Sequence, residues 1–293
     1  MAPIHGIVGY LVTPFAKGAS GIDTDTLRQL VNHLVDGGVH AIAPLGSTGE
    51  SAYLSDAEWE VVAGVTVEAT AGRVPTVVGA SALTTAGAVR LARQAEALGA
   101  DAVMLLPISY WKLTEAEVFA HYAAVADAIS IPIMAYNNPA TAGIDMPPAL
   151  LARMVREIDN VTMVKESSGD IQRMHALHEA AGGEIPFFNG CNPLALEALV
   201  AGAAGWCTAA PNLIAGANLA LWDAVQAGDL DAARASFYGQ LPVLRFILQY
   251  GLPATIKAAL ALQGIDAGVP RLPMAPLSAD GVAELRALMA ASR

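Results

Sequence analysis

Few side chains can form a covalent bond to a carbonyl carbon, and this chain offers one in an unusual place. The stretch Val161-Thr162-Met163-Val164-Lys165-Glu166-Ser167-Ser168-Gly169-Asp170 begins as an apolar, β-branched run and ends on Lys165 ahead of a Ser-Ser-Gly-Asp turn. Only four lysines (Lys17, Lys112, Lys165, Lys257) stand against twelve arginines, so ammonium groups are not scattered here merely to keep a surface wet. Burial disfavours the charged form of an amine, and a neutral amine is a nucleophile toward ketones. Lys165 is therefore a candidate for Schiff-base formation with a keto substrate. The competing reading is a strand-end lysine that reaches solvent or pairs with Glu166 or Asp170.

Such chemistry also needs groups that hold an anion and move protons. The turn Gly46-Ser47-Thr48-Gly49 would present successive backbone N–H groups beside two hydroxyls, a cradle suited to a carboxylate. It reads equally well as a strand-to-helix loop with a local side-chain bond. Tyr136 closes another apolar run and can relay protons to and from a carbinolamine if a hydroxyl stands beside it. Its alternative is an aromatic ring packed on the next helix.

The elements that must position these residues alternate with little variation. Strand-like runs cover 6–12, 39–45, 76–79, 102–106, 131–136, 161–165, 185–188 and 204–208. Helical spacing covers 25–36, 84–98, 115–128, 147–156, 170–181, 192–200 and 211–226, and Ser55-Asp56-Ala57-Glu58 looks like a capping box for a helix running to about Ala71. Strands separated by helices imply a parallel sheet, and eight such units predict a closed (β/α)8 TIM barrel. A doubly wound open sheet is the alternative, but no Gly-x-Gly-x-x-Gly follows the first strand. We expect the barrel over 1–226 and a C-terminal helical extension over 227–293, with two helices broken at Tyr250-Gly251-Leu252-Pro253 and a third over 278–291. A barrel places its chemistry at the C-terminal ends of its strands. Those ends carry Thr13, Ser47 and Thr48, Tyr110, Tyr136 and Asn137, Lys165, and Gly190.

Bulk properties narrow the partners. A formal charge of -11 and the lack of any Lys/Arg run argue against nucleic acid. The two cysteines, Cys191 and Cys207, form no CxxC pair, which suits a reducing compartment. No basic and then apolar leader follows Met1-Ala2-Pro3, so a cytoplasmic protein is expected. The uncharged stretch 198–222 is interrupted by Gly202, Gly205, Pro211, Asn212, Gly216 and Asn218, which suits short elements and not a membrane span. His175, His178 and Glu179 share a helical spacing that reads as a solvated face, so no metal site is expected.

Five motifs taken together resemble one family. Thr13-Pro14-Phe15, Gly46-Ser47-Thr48-Gly49-Glu50, Tyr136-Asn137-Asn138-Pro139, Val164-Lys165-Glu166-Ser167-Ser168-Gly169-Asp170 and Gly202-Ala203-Ala204-Gly205 occur in the order seen in the dihydrodipicolinate synthase and N-acetylneuraminate lyase family. The resemblance spans nearly the whole chain. It implies a class I, metal-free pyruvate aldolase with no cofactor beyond the covalent imine, built as a homotetramer that is a dimer of dimers. By position, Lys165 resembles the Schiff-base lysine, Tyr136 the proton-relaying phenol, and Ser47 and Thr48 the hydroxyl pair gripping the pyruvate carboxylate; Gly46 in the turn and Gly190 after the seventh strand are further substrate-binding candidates. Cys207 matches a strand residue whose backbone carbonyl faces the site. Tyr110, in a segment one residue longer than the commonest form, matches a second relay tyrosine that enters from a neighbouring subunit.

The departures from the family pattern concern the second substrate. Thr141 stands where true dihydrodipicolinate synthases carry an arginine for the carboxylate of aspartate semialdehyde. Losing a charge-assisted bidentate contact weakens such binding by roughly 1.5–3 kcal/mol. Ala140, Thr141 and Gly143 would line the acceptor side. Asp56 and Trp59 replace histidines frequent in the family's lysine-inhibition site, so lysine feedback is not expected. The resemblance thus implies a lyase joining pyruvate to an aldehyde other than aspartate semialdehyde, or cleaving or dehydrating a 2-oxo acid. The alternatives are a 4-hydroxy-tetrahydrodipicolinate synthase, a metal-dependent aldolase or hydrolase, and a catalytically silent barrel that binds a keto acid.

Overall fold

The computed structural model describes residues 4–16 and 21–292. Lys17 and the residues Met1-Ala2-Pro3 of the N-terminal reading lie outside them. Eight strands, β1 (Gly6–Tyr10), β2 (Ala41–Ala43), β3 (Val77–Gly79), β4 (Ala102–Leu105), β5 (Ile133–Asn137), β6 (Val161–Glu166), β7 (Phe187–Asn189) and β8 (Gly205–Thr208), form one sheet in the order β2-β1-β8-β7-β6-β5-β4-β3. A parallel bridge between Ile42 and Thr76, just ahead of β3, links the two ends of that order. The fold is a (β/α)8 barrel followed by C-terminal helices. Apart from half-buried Thr162, every strand residue is buried, as in parallel sheets covered on both faces.

The helices are α1 (Thr24–Asp36), α2 (Asp56–Thr70), α3 (Thr85–Ala97), α4 (Glu115–Ala126), α5 (Pro139–Ala142), α6 (Pro148–Glu157), α7 (Ile171–Ala180), α8 (Ala195–Val200), α9 (Pro211–Gln226), α10 (Leu230–Tyr250), α11 (Leu252–Leu262) and α12 (Ala279–Ala291). Their starts are set chemically. Ser55 and Glu58 close a reciprocal capping box on α2, Thr114 and Glu117 another on α4, and Asp23, Thr84, Asp170, Asp229 and Ser278 each accept an N-terminal N–H. The uncharged stretch 198–222 divides into the end of α8, strand β8 and the start of α9, as its breaker residues predict. No helix among the described residues is long and apolar enough to cross a membrane. One element is new relative to the sequence expectation. The four residues of α5 are too few for a periodic signal, and the helix is defined by its Asn138 cap, Pro139 at its start and left-handed Gly143 at its end.

Contacts group the chain into two compact units, Val77–Cys207 and the remainder on either side of it. In the Val77–Cys207 unit, Tyr122 of α4 is wholly buried and donates its hydroxyl to the Leu105 carbonyl at 2.5 Å, and burial raises its phenol above the ordinary range. The other unit is organised around Glu50, which ends the Gly46–Glu50 turn in a left-handed conformation (φ 56°). Its carboxylate is buried, pairs with the ammonium of Lys257 in α11 at 2.7 Å and accepts the Arg271 N–H at 2.7 Å. Burial lowers the Lys257 ammonium, and the Glu50 carboxylate works against that shift. Lys257 Nζ and Arg271 Cζ lie 4.1 and 4.3 Å from the centroid of the Phe15 ring. The C-terminal helices are thus tied through charge to the turn that carries Ser47 and Thr48.

Two measurements test this anchoring. Lys257→Met leaves the Glu50 carboxylate buried without its counter-ion, and urea denaturation is expected to show a loss of about 3–5 kcal/mol. An unchanged midpoint would show that the pair does not hold the turn. Arg271 also grips Glu58 through two hydrogen bonds, which is the main reason the Glu58 carboxyl drops from 4.5 to about 2. A folded-state value below the unfolded one means that this contact stabilises above about pH 4.5 and is lost as pH falls toward about 2. The stability difference between wild type and Arg271→Leu should therefore be level at neutral pH and shrink through that acid window. A difference that stays constant down to the acid limit would remove Glu58 from the account.

Candidate active site

Strands β5 and β6 pair in parallel with Tyr136 opposite Lys165 and Asn137 opposite Glu166. Successive strand residues point to opposite faces, so Tyr136 and Lys165 share one face while Asn137 and Glu166 share the other. Lys165 is 5% exposed. Its ammonium nitrogen sits 3.8 Å from the centroid of the Tyr136 ring and 3.9 Å from Met104 Sδ of β4. A long polar side chain is thereby held among an aromatic face, a thioether and the strand backbone.

Gly190, next after β7, explains why the lysine stem fits. A Cβ at this position would overlap Ser167 Oγ and lie 2.8 Å from Lys165 Cε. The Gly190 N–H donates to the Glu166 carbonyl at 2.8 Å, which holds the backbone close to the lysine strand. Only a residue without a side chain permits that approach.

The opposite face carries a polar clamp that the motif reading did not single out. Glu166 is 2% exposed, and its carboxylate accepts from the Ser168 N–H at 2.6 Å, Asn137 Nδ2 at 3.0 Å and Arg173 Nε at 3.4 Å. Arg173 of α7 also pairs with Asp145 at 2.8 Å and donates to the Met146 carbonyl at 2.6 Å, while Asn137 Oδ1 accepts the Met146 N–H at 3.0 Å. A buried carboxylate is tolerable only when its lone pairs are met in this way. The sequence alternative in which Lys165 pairs with Glu166 or Asp170 places those carboxylates wrongly. Strand alternation turns Glu166 to the clamp, and Asp170 caps α7 through the Gln172 N–H at 2.9 Å.

Tyr136 is anchored at its far end. Its phenol oxygen accepts from Asn138 Nδ2 at 2.8 Å, and Asn138 Oδ1 accepts the Thr141 N–H at 3.2 Å as the cap of α5. Ala140, Thr141 and Gly143 are exposed on this short helix and its end. Tyr110 follows β4 and is fully exposed beside Trp111, which is 77% exposed. Cys207 is buried in β8. The structure thus brings Lys165, Tyr136 and Gly190 together, and it adds Asn138, Glu166 and Arg173 to the residues that matter.

The turn after β2 belongs to the other unit. The Gly46 carbonyl accepts from the N–H groups of Gly49 at 3.0 Å and Ser51 at 3.4 Å, and the Thr13 hydroxyl donates to the Gly49 carbonyl at 2.6 Å. Thr13 therefore ties the end of the first strand to the turn. Thr48 is buried and Ser47 half-buried. His175, His178 and Glu179 are exposed on α7, and among the described residues no cluster of three or more His, Cys, Asp or Glu side chains could hold a metal.

Comparison with known proteins places this geometry. A model described as the dihydrodipicolinate synthetase family matches residues 3–292. The chain is 34% identical to a 4-hydroxy-tetrahydrodipicolinate synthase of Pelobacter propionicus over 97% of each chain. It is 32% identical to one of Methanopyrus kandleri over 92% of this chain and 90% of that one. A crystal structure from Pseudomonas aeruginosa, provisionally described as a dihydrodipicolinate synthetase, superposes with a TM-score of 0.98 at 61% identity over the whole of both chains.

The contact between Gly190 and the lysine stem can be tested without any substrate. Gly190→Ala should lower stability in urea by about 1–3 kcal/mol through overpacking. Adding Ser167→Gly removes the overlapping hydroxyl and should restore part of the loss. A single variant that unfolds with wild-type behaviour would show that the backbone does not press on Lys165.

Proposed function

The chain belongs to the dihydrodipicolinate synthetase family, and from that premise we propose that it is a Schiff-base-forming lyase acting on pyruvate and an aldehyde, or on a 2-oxo acid in the reverse or dehydrating direction. The observation that carries the reading is the placement of Lys165, 5% exposed with its nitrogen 3.8 Å from the Tyr136 ring centroid. Lys165 attacks the ketone carbon, and the carbinolamine loses water with protons relayed by Tyr136. The resulting iminium withdraws electrons, so that a methyl proton leaves and an enamine forms. The enamine carbon adds to the aldehyde, and water then frees a 4-hydroxy-2-oxo acid from the lysine. No metal or cofactor has a step in this scheme.

The remaining roles rest on the family pattern. By that pattern Ser47 continues the proton relay, Ser47 and Thr48 hold the pyruvate carboxylate, and Gly46, Gly190 and the Cys207 carbonyl are assigned to substrate binding. Tyr110 completes the relay from a neighbouring subunit, and its full exposure within one chain fits that role. A cytoplasmic homotetramer, arranged as a dimer of dimers, is the corresponding assembly.

Thr141 decides the acceptor. It carries no charge where a second carboxylate would be gripped, and its N–H is already taken by Asn138 at 3.2 Å. We therefore assign an aldehyde other than aspartate semialdehyde. The second reading, 4-hydroxy-tetrahydrodipicolinate synthesis, draws its support from relatives of that name at 34% identity.

Mass spectrometry after incubation with pyruvate and borohydride should find the reduced adduct on Lys165 in wild type and nowhere in Lys165→Ala. An unmodified Lys165 peptide would sink the imine mechanism. An aldehyde panel then separates the two acceptors, because rapid turnover of aspartate semialdehyde would show that Thr141 was weighted wrongly. Adduct formation without turnover of any aldehyde or 2-oxo acid would point to a keto-acid-binding barrel.

A further inference from the structure

The orientation of the Asn138 amide is settled by its two partners. Its Oδ1 accepts the Thr141 N–H at 3.2 Å, so the end facing Tyr136 is Nδ2, 2.8 Å from the phenol oxygen. An amide NH2 can only donate. The phenol oxygen is therefore the acceptor of this bond, and its own proton has to point away from Asn138. The amide has little freedom to turn over. Reversing it would set Nδ2 against the Thr141 N–H, donor against donor, and would leave α5 without its cap.

We propose that Asn138 is a positioning residue for the reaction, one that aims the Tyr136 proton at the carbinolamine and holds the phenolate once that proton has gone. The inference rests on the imine chemistry proposed above. In the step concerned, the Tyr136 proton passes to the carbinolamine hydroxyl, the C–O bond breaks to release water, and the nitrogen lone pair forms the C=N bond. The phenolate oxygen then takes the proton lost from the methyl carbon as the enamine forms, which returns Tyr136 to its starting state. A hydrogen bond to an ionised oxygen is stronger than one to a neutral oxygen, so the Asn138 N–H stabilises the charge that develops during the step more than it stabilises the resting phenol. Its effect thus falls on rate and not on pyruvate binding.

Substitutions at this position can separate the cap from the donor. Ser and Asp cap a helix about as well as Asn, so Asn138→Ser and Asn138→Asp keep the bond to Thr141 while losing the N–H. Ser is too short to reach the phenol. Asp offers an acceptor that draws the phenol proton toward itself, reversing the bond. With timed borohydride quenching at saturating pyruvate, imine formation should slow roughly fivefold in Asn138→Ser and further in Asn138→Asp. The pyruvate concentration giving half the maximal rate should not change, and thermal melts should match wild type. In a Tyr136→Phe background, neither substitution should matter further.

An Asp variant as fast as wild type would overturn the proposal, and so would the same slowing in the Tyr136→Phe background, since either result means that Asn138 does not act through the phenol. Rates that track melting temperature across the variants would likewise reduce Asn138 to its capping bond. A wild-type protein that gains no adduct at Lys165 is a different result, because it removes the imine reading and the role of Asn138 together.

Discussion

A parallel register of two strands is the constraint on which the candidate site depends. Because β5 and β6 pair Tyr136 with Lys165, the next pair along is Asn137 with Glu166, and the pleat sends the two pairs to opposite faces. The amine and the phenol meet on one side, and the carboxylate and the amide meet on the other. A slip of one residue in β6 would exchange these faces and put Glu166 on the side of Tyr136. The clamp of Glu166, Asn137 and Arg173 resists such a slip, because moving Glu166 would bury its carboxylate against apolar neighbours. The buried polar face thus holds the face that carries Lys165 and Tyr136 in register.

The second candidate segment follows the same logic in a turn. The Gly46-Ser47-Thr48-Gly49 loop is not regular structure, and its shape rests on the residue that ends it. Glu50 adopts a left-handed conformation that costs a non-glycine residue energy, and its buried carboxylate is offset by Lys257 at 2.7 Å and the Arg271 N–H at 2.7 Å. In both segments a buried glutamate closely follows the residues assigned to chemistry: Glu166 comes next after Lys165, and Glu50 follows Ser47 and Thr48 with Gly49 between. A paired buried carboxylate adds little net stability, but it tolerates only one arrangement of its neighbours. That property suits a backbone whose side chains must be placed to within fractions of an ångström.

These particulars decide how much was legible beforehand. The alternation of strands and helices could be read because short apolar runs and period-3.6 patterns are local, and Ser55-Asp56-Ala57-Glu58 announced the start of α2 to the residue. Lys165 stood out because an ammonium is costly at the end of an apolar strand. The competing reading, in which Lys165 pairs with its neighbour Glu166, could have been discounted beforehand, because the two-residue period of the strand places adjacent side chains on opposite faces. Arg173, Asp145 and Met146 were not legible, since nothing local links a residue of α7 to the loop after α5. The pairing of Glu50 with Lys257 joins distant parts of the chain, and no pattern in either segment records it. Asn138 was visible in the Tyr136-Asn137-Asn138-Pro139 motif, but the direction of its amide depends on α5, a helix of one turn that leaves no periodic trace.

That short helix joins two properties that are usually considered apart. On the readings proposed above, Asn138, its cap, sets how the Tyr136 proton points, while Thr141, one turn on, is assigned to the acceptor side. The two are coupled through a single hydrogen bond, from the Thr141 N–H to Asn138 Oδ1 at 3.2 Å. Shifting the backbone of α5 to admit a charged acceptor would break the cap and hence release the phenol, so on the proposed reading the position of this helix links selectivity to proton transfer. A chain with an arginine at position 141 keeps the backbone N–H and can keep the cap. A chain that shortens or rotates α5 loses both, because the amide then has no second partner to hold its orientation. Variation in acceptor preference is therefore expected in the side chains of α5 and not in its length.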